Sequence, residues 1–141
     1  MNINKTIGKI VSVTMAVMAV CSAVPVFAGS QVEWRGTTYN SGSSIITTSV
    51  IKETDSSVMV SYVSGNSDFV GCNVLAKNAQ GKFVDVTYYS SNYLVYYAYK
   101  GQGYKAVKNL AEETYGSGVE VKAQITPSIA GTHSGWWKAD N

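Results

Sequence analysis

Over residues 119–126 apolar and polar side chains alternate without a break, Val119, Val121, Ala123 and Ile125 against Glu120, Lys122, Gln124 and Thr126. Successive side chains of an extended strand point to opposite faces, so a strict period of two buries one face and wets the other. A helix would scatter the same residues around its axis. Similar patterns recur at 33–39, 44–51, 57–63, 69–77, 83–89 and 93–100, with the tail 132–138 as a further candidate. Turn formers separate them, among them Gly42-Ser43, Asp55-Ser56, Gly65-Asn66-Ser67-Asp68 and Gly101-Gln102-Gly103. Asn78-Ala79-Gln80-Gly81 predicts a hairpin turn of type I closed by a glycine in the left-handed conformation. Seven or eight short strands at this spacing imply an all-β fold, an antiparallel β-sandwich, with a small closed barrel as the alternative. Residues 105–115 break the pattern. Ala106, Val107, Leu110 and Ala111 fit one face of a short helix, with Lys108 and Glu112 paired four apart, while a loop or a twisted edge strand stays open.

The chain starts differently. Lys5 and Lys9 precede an apolar run over 10–24, and Pro25-Val26-Phe27-Ala28 then supplies a small-residue site before Gly29. This is the anatomy of a secretory signal peptide over 1–28, cleaved between Ala28 and Gly29. A membrane anchor needs about 20 apolar residues, more than this run provides. Lipidation at Cys21 would place the bulky Val20 where a small residue is wanted. The expected location is therefore extracellular, with no integral membrane anchor after cleavage.

Removing 28 of the 141 residues leaves 113, enough for one domain over 29–141 around one core. The full chain has 11 basic and 9 acidic residues, but Lys5 and Lys9 leave with the leader, so the mature balance is nine against nine. A neutral chain without a basic stripe argues against nucleic acid as a partner. Cys72 is the single cysteine after cleavage and has no internal disulfide partner.

Chemistry is sparse. His133 is the one histidine, and with Cys72 and Arg35 it invites comparison with the Cys-His-Arg set of sortases. Cys72, however, shares a strand face with Val70 and Val74, where a thiol acts as a small core hydrophobe, and the histidine follows the cysteine rather than preceding it. The acids stand singly apart from Glu112-Glu113, and Asn66 with Asp68 supplies too few ligands for a calcium loop. The expectation is a protein that is not an enzyme, with no catalytic residues, no metal and no cofactor.

Aromatic residues are the one concentration. Seven of the ten tyrosines fall between Tyr88 and Tyr104. On a strand, Tyr93, Val95, Tyr97 and Tyr99 share one face, with Leu94, Tyr96 and Ala98 on the other. Tyrosine suits strands for packing alone. The functional alternative is a solvent-facing shelf, Tyr93, Tyr97 and Tyr99, that stacks on a sugar ring or docks a protein. Trp136 and Trp137 point to opposite faces of the last strand, so one closes the core and the other is a second candidate platform.

Residues 119–140, VEVKAQITPSIAGTHSGWWKAD, resemble the closing segment of the lactococcin 972-like family of small secreted bacteriocin-type proteins, whose G-x-W-x-x-D element is matched by Gly135, Trp137 and Asp140. The resemblance implies a secreted β-sandwich that acts without enzymatic chemistry at a bacterial cell envelope, by binding a wall precursor, and that is produced beside a transporter and an immunity membrane protein. The neutral mature chain and the lack of a histidine-rich start depart from that pattern. The expected partner is thus a cell-envelope component or surface protein. A structural or adhesive protein on the producer's own wall is the alternative.

Overall fold

The alternating segments close as two antiparallel sheets packed face to face in the computed structural model, which describes residues 29–91 and 95–141. The expected leader 1–28, with Ala28 at the expected cleavage site, and Tyr93 lie outside the described residues. One sheet runs in the order β1 (Val32–Thr38), β10 (Gly131–Lys138), β4 (Val58–Ser64), β8 (Tyr104–Val107). The other is built on the central pair β5 (Phe69–Lys77) and β9 (Val119–Pro127). Along the free side of β9 lie β2 (Ile45–Ile46) and β3 (Val50–Lys52), end to end, and along the free side of β5 lie β6 (Phe83–Asp85) and β7 (Tyr96–Tyr99).

The period-two pattern works as physics requires. Cys72 faces Ile125 and Val74 faces Ala123 across the β5–β9 ladder. Their inward faces meet Val58, Val60 and Tyr62 of β4, with Trp34 and Trp137 filling the remaining volume. At one corner Gly101 N–H donates to Tyr62 O at 2.9 Å beside a parallel bridge between Tyr62 and Lys100, a link too local to merge the sheets into a barrel.

Two expected strands are interrupted, for the same reason. Within 44–51 the ladder breaks at Thr47, whose Oγ1 accepts Ala123 N–H at 2.9 Å in place of a strand carbonyl while its own N–H donates to Ala123 O at 3.0 Å. Within 83–89 Thr87 Oγ1 likewise accepts Val74 N–H at 2.8 Å. A hydroxyl that satisfies a backbone donor lets the chain leave strand geometry without orphaning the neighbouring strand.

Residues 105–115 divide between two elements. β8 covers the first part, and a one-turn helix, α1 (Ala111–Tyr115), the second. Asn109 Oδ1 takes the Ala111 N–H at 3.2 Å, and Gly116, with φ of +85°, ends the helix. The 78–81 hairpin forms as read: Asn78 Oδ1 accepts the N–H groups of Gln80 and Lys82, and Gly81 has φ of +77°.

Candidate functional site

The structure does not bring Cys72, His133 and Arg35 together. Cys72 is 1% exposed, and burial pushes its thiol up to about 12, far from the thiolate that catalysis needs. Arg35 is exposed on the outer face of β1, in the opposite sheet. His133 points inward from β10 and is committed elsewhere. Its Nε2 lies 3.0 Å from Ile129 O, which can only accept, so Nε2 carries the proton and Nδ1, 3.0 Å from Tyr62 Oη, accepts the phenol hydrogen. Tyr62 Oη in turn accepts Ser67 N–H, and Ser67 Oγ accepts Ile129 N–H, each at 3.2 Å. Four residues thus close a ring of hydrogen bonds that ties the 64–68 turn to the 128–131 turn. Desolvation raises the Tyr62 phenol above its ordinary value, which keeps it a donor. Gly65 lies against this ring with φ of +150°, and a Cβ there would strike His133 Nδ1 and Tyr62 Oη.

The three residues that carry the family resemblance hold the fold. At Gly135 the Trp34 indole crosses the bare backbone to donate to Ser61 O at 3.1 Å, and a Cβ would lie 2.8 Å from that ring. Of the two candidate tryptophans, Trp137 is 0% exposed and is the one that closes the core, which removes it as a ligand platform. Asp140 turns back under the sandwich to pair with Lys52. These side chains are spent on closing the sandwich rather than displayed.

The exposed aromatics lie elsewhere. Tyr97 and Tyr99 are 40% and 48% exposed on the outer face of β7, while Tyr96 and Ala98 point inward. Phe69 on the neighbouring strand joins them, edge-on to Tyr97 with centroids at 4.9 Å and tilted against Tyr99 at 5.7 Å. The shelf is thus three interlocked rings. Around the tight Gly101-Gln102-Gly103 turn the chain returns as β8, where Tyr104 stands on the outside of the other sheet beneath the Lys138 ammonium, 5.5 Å from its centroid. Trp136, 37% exposed, occupies the same outer row as Tyr104, with Ser61 between them. A shallow depression of about 330 Å³ lies over the hairpin between Tyr97, Tyr99, Gln102 and Tyr104 and is walled by Lys105. A second, of about 280 Å³, begins on the other side of Lys105 and extends to Tyr88 and Lys108.

Lys105 escaped the sequence reading, and Lys108 entered it only as a helical partner for Glu112. The zero balance over 29–141 hides a local one, because no acid occurs between Asp85 and Glu112 whereas Lys100, Lys105 and Lys108 all do. Charge counted along the chain rather than summed would have found them. Among the described residues no three His, Cys, Asp or Glu side chains converge as a metal site requires. No protein-family model, curated protein or solved structure matches this chain.

Proposed function

We propose that the mature domain is a secreted binding protein that acts at a bacterial cell envelope without enzymatic chemistry, as its bacteriocin-like closing segment suggests, and that it engages its ligand through the Phe69, Tyr97 and Tyr99 shelf. The observation that carries this reading is the exposure of the shelf: two large rings stand in solvent on a strand whose other face is fully packed. Packing accounts for Tyr96 in full, but for Tyr97 and Tyr99 only through their contacts with Phe69, which leave both rings exposed. The rings are also stiff. Each is held by its contact with Phe69, so little side-chain freedom is lost when a ligand settles on them.

The test has two steps. Protein recovered from culture medium should begin Gly-Ser-Gln-Val-Glu, and should then sediment with isolated bacterial walls. A product that keeps its leader, or a mature protein that ignores walls and intact cells alike, contradicts the reading.

A further inference from the structure

We infer that the groove between β7 and β8 selects a phosphate-bearing polysaccharide, the lysines taking the phosphates and the tyrosine rings the sugars; this rests on the shelf being the binding surface. The two depressions share Lys105 and form one track along the side of the sandwich between β7 and β8, closed at its ends where Tyr88 N–H donates to Lys108 O and Gly101 N–H donates to Tyr62 O, each at 2.9 Å. Lys105 stands at its middle and Lys108 at its far part. Lys52 is engaged with Asp140, Lys77 with Glu120 at 2.9 Å, and Lys100 with Gly65 O at 3.1 Å, while Lys122 and Lys138 lie over the Phe83 and Tyr104 rings. Among the described residues neither Lys105 nor Lys108 forms an ion pair. A third depression, which Tyr88 and Lys108 also line, carries Asp55 and Glu113, so the basic stretch ends at Lys108. Two ammonium groups without an ion pair, Lys105 clear of the acids and Lys108 at their border, leave the two depressions beside the exposed rings positive, which calls for an anionic ligand with apolar ring faces.

Phosphate fits better than carboxylate. An ammonium is a point charge suited to a phosphate, whereas planar carboxylates are best gripped by the guanidinium fork, and Arg35, the chain's one arginine, sits on the far edge strand β1. The site is a pair of concave depressions, where a membrane surface would need anchors that protrude. A nucleic acid would need a longer cationic track than this groove supplies.

The experiment is direct binding of the mature protein to phosphomannan, to the same mannan after enzymatic removal of its phosphate, to phosphatidylglycerol vesicles and to single-stranded DNA. The expected result is binding to phosphomannan that weakens about tenfold or more on dephosphorylation, on raising salt to about 0.5 M, and in the double variant Lys105→Gln/Lys108→Gln. The variant should melt at the wild-type temperature, because among the described residues neither ammonium group forms an ion pair. Equal affinity for mannan with and without phosphate would overturn the phosphate assignment, as would tighter binding to vesicles or to DNA. A protein that sediments with walls yet ignores phosphomannan also overturns it, while leaving the shelf as the binding surface. One that binds neither refutes both.

Discussion

Lys52 and Asp140 form an ion pair at 3.0 Å, with Lys52 entirely buried at the end of β3 and Asp140 arriving from the last turn of the chain 88 residues later. All three ammonium hydrogens are used, on Asp140 Oδ1, Ala139 O and Ser56 O. The carboxylate also accepts from Thr54 Oγ1 at 2.7 Å, Ser56 Oγ at 3.2 Å and the backbone N–H groups of Glu53 and Thr54. A buried pair with every partner in place holds the chain end against the 53–56 loop. Removing one member leaves the other charge stranded, so Asp140→Asn should cost about 3–5 kcal/mol of unfolding free energy in denaturant titrations. Lys52→Met combined with Asp140→Leu should recover much of that loss.

The same pair sets an acid limit on stability. Desolvation alone would raise the Asp140 carboxyl, but hydrogen bonds from Thr54, Lys52 and the Glu53 backbone, with the Lys52 charge, outweigh it and hold the group below its ordinary value. A depressed folded value means that the contribution is complete above the unfolded value of about 4 and is lost as pH falls through the lower, folded one. The stability gap between wild type and Asp140→Asn should therefore be constant from neutral pH to about pH 5 and narrow below about pH 4. A gap unchanged down to the acid transition would contradict this role.

Cys72 is structural. Cys72→Ser should cost about 1–3 kcal/mol for an unpaired buried hydroxyl and leave wall binding intact. Native protein should react with a thiol reagent at mildly alkaline pH far more slowly than unfolded protein, given a thiol raised to about 12 by burial. Rapid labelling of the native state would show that the thiol is accessible.

The adjacent tryptophans should behave as opposites. Trp137→Ala removes a fully buried indole and should cost about 3–5 kcal/mol, whereas Trp136→Ala on the outer face should stay within about 1 kcal/mol. Equal losses by thermal or chemical unfolding would mean that the facing of β10 has been misread.

The central strands were legible because both their determinants are local. Residues 69–77 carry alternation and flanking turns in the same stretch of chain, and β5 has those very limits. The breaks at Thr47 and Thr87 were not, since a hydroxyl replaces a carbonyl only when a distant strand presents its N–H. Asp140 read as one letter of a motif, and nothing near it in sequence names Lys52. The shelf was legible as a face, Tyr97 and Tyr99 against Tyr96 and Ala98, but which face meets water depends on how β7 docks on β5. The acid-free run from 86 to 111, which holds Lys100, Lys105 and Lys108, was written in the sequence and was lost by summing charge over 29–141.

The account stands on the claim that Tyr97 and Tyr99 are kept for binding rather than for packing. The double variant Tyr97→Ala/Tyr99→Ala, measured for thermal unfolding and for sedimentation with isolated walls on the same sample, decides it. Half-exposed rings on an edge strand predict a loss of no more than about 1–2 kcal/mol together with a loss of wall binding of about tenfold or more. A variant as unstable as a core truncation, or a stable variant that binds walls as well as wild type, would contradict the claim.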